Sequence, residues 1–133
     1  MDTPISHFMT ESVNTVVTMD TVERVEEFVT LGGMPSVPVV DAAGRIFGII
    51  SSQDLLRFHA TRKNPKIVRA WELCTYKPIE VTPATSAAEV ARLMIENKIH
   101  QVIVSDNGSI CGFVSSLDFV RQFMLEGGTS IPT

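Results

Sequence analysis

The chain contains an internal duplication. Met9 aligns with Cys74 at an offset of 65, and Gly44 aligns with Gly108 at an offset of 64, because the second copy is one residue shorter in a turn. The phrase GIISSQDLLRF in the first copy returns as GFVSSLDFVRQF in the second. Copies of one sequence are expected to form the same structural unit, so the chain is restricted to folds made of two similar halves.

A short β-rich piece opens each copy, and an amphipathic helix follows it. In the first copy we expect Asp20 to cap this helix and Gly32-Gly33 to end it, because glycine permits a left-handed turn. In the second copy Ser86 is the expected cap and Asn97 the expected end. Apolar residues recur at helical spacing between these limits in both copies.

Two further β-rich runs and a second helix complete each copy. The runs cover residues 37–40 and 46–50 in the first copy and 102–104 and 110–114 in the second. Each intervening turn contains an Asp or Asn followed within three residues by a Gly, in Asp41-Ala-Ala-Gly44 and in Ser105-Asp-Asn-Gly108, which is typical of a hairpin. The second helix begins at a Ser-Ser pair. We therefore predict an α/β (α+β) fold with two β-α-β-β-α units.

Composition limits the classes of function. The net charge of −4 disfavours nucleic acid or an anionic membrane as the main partner, because both require a basic surface. No apolar run approaches the roughly 18 residues of a membrane span. Cys74 and Cys111 lie far apart without clustered His, so no metal site is expected, and two free thiols without a signal sequence predict a cytoplasmic protein. No nucleophile has an identifiable base, so we do not expect an enzyme.

A Ser-x-x-Asp element occurs once in each copy, at Ser51–Asp54 and at Ser115–Asp118. A Ser at a helix start with an acid three residues later is a capping box, which needs no ligand. A hydroxyl beside the free N–H groups of a helix start also suits a phosphate, and a carboxylate suits two vicinal hydroxyls. A nucleotide carries both groups. The element alone leaves capping and ligand binding open.

Gly48 and Gly112 each lie three residues before the Ser of that element, inside a β-rich run. Glycine weakens a strand, so we expect either a bulge or the close approach of another group at each position. A ligand is one such group. Apolar residues of the first copy could enclose a flat base, and these are Val16, Met34, Val37 and Ile49.

The chain resembles a tandem pair of cystathionine-β-synthase (CBS) domains, also called a Bateman module. The resemblance is carried by SVPVVDAAGRIFGIISSQDL and QVIVSDNGSICGFVSSLDF, each preceded by a matching segment, FMTESVNTV or LCTYKPIEV. We assign repeat one to residues 5–62, a linker to 63–69, repeat two to 70–126 and a tail to 127–133. The resemblance implies a pseudo-twofold axis, sheets packed together with helices outside, and two clefts that hold adenosine compounds such as AMP, ADP, ATP or S-adenosylmethionine.

The resemblance also implies roles for individual residues. Asp54 and Asp118 would accept hydrogen bonds from the ribose hydroxyls. The phosphate would be contacted by Ser51, Ser115, His100, Arg57 and Arg121. The base would lie beside the first strand of a copy and the segment leading into the second strand, at Thr15, Val16, Met34, Pro35, Glu80, Val81 and Ile99. The expected ligand is an adenosine nucleotide, with or without Mg²⁺, and no catalytic cofactor is expected.

Three positions depart from the pattern of ligand-binding relatives. Such relatives often carry a basic residue where this chain has Pro35 and His100, and repeat two has Ile103 where repeat one keeps Pro38. A di- or triphosphate would therefore need other cations. One source is the stretch between Asp54 and Glu72, which contains no acids. The alternative interpretation of this stretch is a solvated linker. Its cations are Arg57, Arg62, Lys63, Lys66 and Arg69.

The second helices carry more apolar residues than one core-facing stripe needs, and this predicts a homodimer. We expect a sensor that signals to a separate effector protein by a conformational or dimer change, because the two copies occupy most of the 133 residues. The alternative is a ligand-free dimerisation or scaffold module that docks a client protein. Pro35 favours the scaffold, and the Ser and Asp retained in both copies favour binding.

Overall fold

The computed structural model describes residues 2–11, 13–33, 36–76 and 79–126, and for Tyr76 it describes the backbone alone. The chain divides into two packing units. Asn14–Pro78 form the repeat-one unit, and Met1–Val13 together with Ile79–Thr133 form the repeat-two unit. Each unit contains the β-α-β-β-α order, so the mixed α and β fold predicted from the duplication is confirmed.

The repeat-one unit contains a four-stranded sheet in the order β1-β2-β3-β4. Strand β1 is parallel to β2, and the other neighbours are antiparallel. The elements are β1 (Val16–Val17), α1 (Val22–Gly32), β2 (Ser36–Val40), β3 (Ile46–Ser51), α2 (Ser52–Ala60), α3 (Ala70–Leu73) and β4 (Thr75–Tyr76).

The repeat-two unit contains a three-stranded sheet in the order β5-β6-β7, again with one parallel and one antiparallel pair. A 3₁₀ turn at Ile5–His7 comes from the start of the chain. The other elements are β5 (Glu80–Val81), α4 (Ala87–Glu96), β6 (Gln101–Asp106), β7 (Ser109–Ser115) and α5 (Ser116–Leu125).

Each unit has its own hydrophobic core, built from strand residues and from one stripe of each helix. In the repeat-one unit, Val22 and Val25 of α1 pack on Val37 and Val39 of β2. In the repeat-two unit, Ile5 is fully buried among residues of the second copy. The start of the chain is therefore part of the second core.

The first residues of each sequence repeat pack on the sheet of the other repeat. Thr75, near the start of repeat two, pairs with Ile49 on β3 of repeat one. Thr10, near the start of repeat one, exchanges two backbone hydrogen bonds with Phe113 on β7 of repeat two, at 2.8 and 3.1 Å. The packing units thus follow different limits from the sequence repeats.

Helix α1 begins one residue later than predicted. Its N-cap is Thr21, whose hydroxyl oxygen accepts the backbone N–H of Arg24 at 3.3 Å. Asp20 is instead used one turn earlier, where its carboxylate accepts the N–H of Val17 at 2.9 Å and closes the turn after β1. The expectation that Asp20 caps the helix was wrong, because Thr21 caps the helix and Asp20 accepts a hydrogen bond in the preceding turn.

The remaining helix limits are confirmed. Gly33 ends α1 in the left-handed region, with a φ of 62°, and its N–H donates to the carbonyl of Val29. Ser86 caps α4 by accepting the N–H of Glu89 at 3.2 Å. Asn97 ends α4, and its side-chain amide donates to the carbonyl of Leu93 at 2.8 Å.

Candidate functional site

The Ser-x-x-Asp element of repeat one forms a complete capping box at the start of α2. Ser51 Oγ accepts the backbone N–H of Asp54 at 3.2 Å. In return, Asp54 Oδ2 accepts the Ser51 N–H at 2.8 Å and the Ser51 hydroxyl at 3.0 Å. The box therefore satisfies the first free N–H groups of the helix without help from a ligand.

Repeat two forms the same box at the start of α5. Asp118 Oδ2 accepts the N–H of Ser115 at 2.7 Å and its hydroxyl at 3.0 Å, and Ser115 Oγ accepts the Asp118 N–H at 3.3 Å. Both boxes use only Oδ2 of the carboxylate. The other oxygen, Oδ1, stays outside the box in each unit.

The two carboxylates differ in what contacts Oδ1. Arg57 Nη2 lies 2.9 Å from Asp54 Oδ1 and donates a hydrogen bond to it. Arg121 Nη1 lies 4.0 Å from Asp118 Oδ1, beyond hydrogen-bond distance, and no donor on any residue that the structure describes reaches that oxygen. The arginines predicted to contact phosphate thus face the carboxylates here, and their phosphate role stays a prediction.

The glycines before the boxes are explained by the chain itself. Each lies at a strand irregularity, with register shifts after Val39 and Val104. A β-carbon on Gly48 would lie 2.5 Å from the carbonyl oxygen of Thr75, and one on Gly112 would lie 2.8 Å from that of Thr10. The expected bulge and close approach are confirmed, but the approaching group belongs to the first residues of the other repeat. The glycines therefore do not argue for a ligand.

The segment leading into β6 lines a cavity of about 370 Å³ beside the start of α5. His100 is exposed, and its carbonyl accepts the N–H of Ser116 at 3.0 Å. Ile99 and His100 therefore lie near the second box, and their predicted contacts with the base and the phosphate stay predictions. Met34 and Pro35, the corresponding residues of repeat one, lie outside the described residues. The lining residues are Met94, Ile95, Lys98, Ile99, His100 and Ser116.

Lys98 belongs to this cavity, although it was not predicted as a site residue. Its φ of 54° places it in the left-handed region. The offset of 65 aligns Lys98 with Gly33, which has nearly the same φ. The sequence alignment of the two copies could therefore have identified Lys98 as a lysine at a position whose backbone conformation favours glycine.

The strand residues predicted to contact the base divide into two kinds. Val16 and Val81 are buried in the cores of their units, so their side chains offer almost no surface to a base. Thr15 is half-buried and Glu80 is exposed. Glu80 Oε1 accepts a hydrogen bond from the Ser105 hydroxyl at 2.9 Å.

The basic stretch after α2 docks at the end of the sheet opposite to Ser51. Ser51 pairs with Ser36 at one end of β2. The stretch instead docks near the other end of β2, since the Val68 carbonyl accepts the N–H of Val22, which begins α1. The structure therefore does not bring four of the proposed cations to the box, namely Arg62, Lys63, Lys66 and Arg69.

The described residues contain neither a candidate metal site nor a candidate membrane-spanning helix. No group of three or more His, Cys, Asp or Glu side chains in these ranges is arranged to hold a metal ion. No helix within the described part of the chain has the length and apolar character needed to cross a bilayer.

Comparison with known families matches both copies. A model of the CBS domain matches residues 5–60 and 70–125. The chain belongs to the CBS domain family. The resemblance inferred from the two SSxD phrases is thereby confirmed, and the elements described above make up two CBS repeats.

A curated relative, YlbB of Bacillus subtilis (strain 168), is 26% identical over 114 residues, which cover 85% of this chain and 77% of YlbB. Three further curated relatives are longer than this chain, and the matched regions span only 22%, 42% and 46% of their lengths.

Solved structures agree with the CBS fold. CBSX2 in complex with AMP is 23% identical with a TM-score of 0.81, and the match covers 93% of this chain and 98% of CBSX2. The CBS domain pair of MJ0100 in complex with 5′-methylthioadenosine and S-adenosyl-L-methionine is 24% identical with a TM-score of 0.80. The match covers 91% of this chain and 99% of that structure. At these identities the likeness establishes the shared fold.

Proposed function

We propose that this protein is a non-enzymatic regulatory module that binds an adenosine-containing ligand at its Ser-x-x-Asp boxes. One observation carries the proposal: both boxes use Oδ2 of the carboxylate and leave Oδ1 outside. A capping box needs only one carboxylate oxygen. The second oxygen of Asp54 and of Asp118 is therefore suited to accept hydrogen bonds from the two hydroxyls of a ribose.

The related structures support this class of ligand. AMP, 5′-methylthioadenosine and S-adenosyl-L-methionine, which are bound in the two relatives, share an adenosine group and differ beyond its 5′ carbon. The proposal therefore rests on the part that recognises the sugar and base. The group attached at the 5′ position is left to be determined, and ADP and ATP, with or without Mg²⁺, remain candidates.

The contacts follow from the chemistry of the box. The hydroxyl of Ser51 or Ser115 now donates to its own Asp. It can rotate towards a phosphate while its oxygen keeps accepting the helix N–H, so binding need not break the cap. Ile99 and the surfaces of Thr15 and Glu80 are the described residues suited to contact the base. Met34 and Pro35 keep their predicted role in the base pocket of repeat one.

Signalling requires that the ligand bind two states of the protein unequally, because its effect cannot exceed that difference in affinity. We propose that the two states differ in conformation or in dimer contacts. The proposed partners are a second copy of this chain and a separate effector protein, and the free thiols suit a cytoplasmic location.

A thermal-shift and calorimetry panel with AMP, ADP, ATP, S-adenosylmethionine and 5′-methylthioadenosine tests the proposal. A ligand at 100 times its dissociation constant stabilises the folded state by about 2.7 kcal/mol. Asp54→Asn or Asp118→Asn should abolish the response at one box. Asp106→Asn, at an exposed position at the end of β6, is the matched control. An unchanged response in both box variants would refute the ribose assignment.

A ligand-free scaffold is the second candidate, and two observations favour it. Both boxes are complete without a ligand, and both glycines are accounted for by the first residues of the other repeat. The same panel separates the candidates. A scaffold shows no response to any adenosine compound, while its box variants lose only the stability that belongs to helix capping.

A further inference from the structure

Lys98 holds a backbone conformation that strains a residue with a β-carbon. Its φ of 54° lies in the left-handed region, which glycine enters freely and lysine does not. Repeat one places Gly33 at the aligned position with a φ of 62°. Strained residues of this kind persist where the surrounding structure or the function of the side chain requires them.

Lys98 lines the cavity beside the second box. His100 lines the same cavity, and so does Ser116, the neighbour of Ser115. The aligned residues of repeat one are Gly33 and Pro35, neither of which carries a cation. Repeat two therefore places a lysine and a histidine where repeat one has a glycine and a proline.

The carboxylates also differ in the number of acceptor positions that remain open, and this difference too favours repeat two. An ionised carboxylate offers about four acceptor positions, two on each oxygen. The box fills two positions on Oδ2 in both repeats, and Arg57 fills a third on Asp54. Both acceptor positions on Oδ1 of Asp118 are available to the two hydroxyl donors of a ribose diol. At Asp54 only one position is available, so a diol must displace either Arg57 or the Ser51 hydroxyl.

We infer that the two sites are unequal: the Asp118 box takes the phosphate-bearing adenosine ligand first, with Lys98 as its cation and His100 as a hydrogen-bond donor, and the Asp54 box binds more weakly because Arg57 occupies its carboxylate. This inference rests on the proposed function. Acidic residues outnumber basic ones in the repeat-two unit. Charges farther than roughly 8 Å from the phosphate are screened at physiological salt, so the residues that line the cavity decide the local charge.

Calorimetry with AMP and adenosine tests the role of Lys98, because the two probes differ only by the phosphate. Lys98→Gly, which installs the residue of repeat one, should weaken AMP binding about fivefold and leave adenosine binding unchanged. Its melting temperature should be equal to or above that of the parent, because glycine relieves the strain. Arg92→Ala, at an exposed cation on α4, is the control and should alter neither affinity.

The order of the sites is tested with the carboxylates and their arginines. Asp118→Asn should remove the tighter AMP site, and Asp54→Asn should leave it intact. Arg57→Gln should strengthen the weaker site, whereas the matched Arg121→Gln should not. A tighter site that depends on Asp54, weaker AMP binding in Arg57→Gln, or a Lys98→Gly variant that melts lower or binds both probes like the parent would overturn the inference. If the parent binds none of the adenosine compounds, the proposed function itself fails.

Discussion

Gly48 on β3 faces the backbone of Thr75 on β4 so closely that a β-carbon on the glycine would lie 2.5 Å from the Thr75 carbonyl oxygen. The Cys74 sulfur would lie 2.9 Å from the same β-carbon. The edge strand can take this position only because residue 48 has no side chain. The pairing of β3 with β4 therefore requires glycine at position 48.

We predict that Gly48→Ala destabilises the fold by about 3 kcal/mol, because a backbone oxygen cannot move aside as a flexible side chain can. The comparison is Gly44→Ala, where the added methyl group meets open space and only the φ of 81° is unfavourable. That variant should lose about 1 kcal/mol. Urea unfolding of both proteins measures the difference, and equal losses would contradict the close approach.

The cap of α2 gives a second prediction. Ser51→Ala removes the oxygen that accepts the Asp54 N–H and should lower the free energy of unfolding by about 1 kcal/mol. Ser52→Ala, at the adjacent exposed position, is the matched control and should change stability by less than about 0.5 kcal/mol. The measurement is denaturant unfolding without ligand. Equal losses in the two variants would mean that the box does not act as a cap.

A third prediction concerns alkaline pH. Burial raises the pKa of the Cys74 thiol above its ordinary value of 9.0, and the negative charge of Asp54 acts in the same direction. The unfolded chain therefore releases this proton at lower pH than the folded chain does. The resulting stability is fully present below pH 9 and is lost as the pH rises through the folded pKa.

Replacing the thiol tests this linkage. Between pH 8 and pH 10, the free energy of unfolding should fall more steeply for the parent than for Cys74→Ala, since the variant has no thiol to titrate at this position. Cys111→Ala keeps Cys74 and should retain its contribution. Parallel pH profiles for the parent and Cys74→Ala would show that the buried thiol has no such effect.

A fourth prediction tests the proposed dimer. Met124 and Leu125 near the end of α5 are 76% and 83% exposed, and Val120 lies one turn before Met124. Val120→Glu should reduce self-association, because a carboxylate is costly to bury in an apolar contact. Leu31→Glu on α1, at a leucine that is 87% exposed, is the control. Light scattering of the parent that shows only a 14.6 kDa species would rule the dimer out.

Much of the fold could be predicted because the duplication repeats its local signals. The limits at Gly33, Ser86 and Asn97 depend on backbone conformation and on hydrogen bonds between near neighbours, which are local signals that a sequence shows. Asp20 failed as a cap although the signal was present: the offset of 65 aligns Ser86, the cap of α4, with Thr21, which is the cap of α1.

The site was harder to predict because its contacts are not local. The reason for Gly48 lies in Thr75, and the neighbours of the basic stretch lie at the start of α1. Arg57 and Arg121 occupy equivalent positions, yet only Arg57 is within hydrogen-bond distance of its carboxylate. Such differences depend on side-chain placement, which the matching letters of the two repeats do not reveal.

The crossing of Thr10 and Thr75 to the opposite halves affects how the molecule could be dissected. A fragment cut at the repeat limits, such as residues 5–62, would lack β4 and leave Gly48 uncovered. The cut that keeps a complete sheet is residues 14–78, and its counterpart is a circular permutant in which the first 13 residues follow the last helix. A gene split between the two copies would therefore encode two products, each without a segment that its sheet needs.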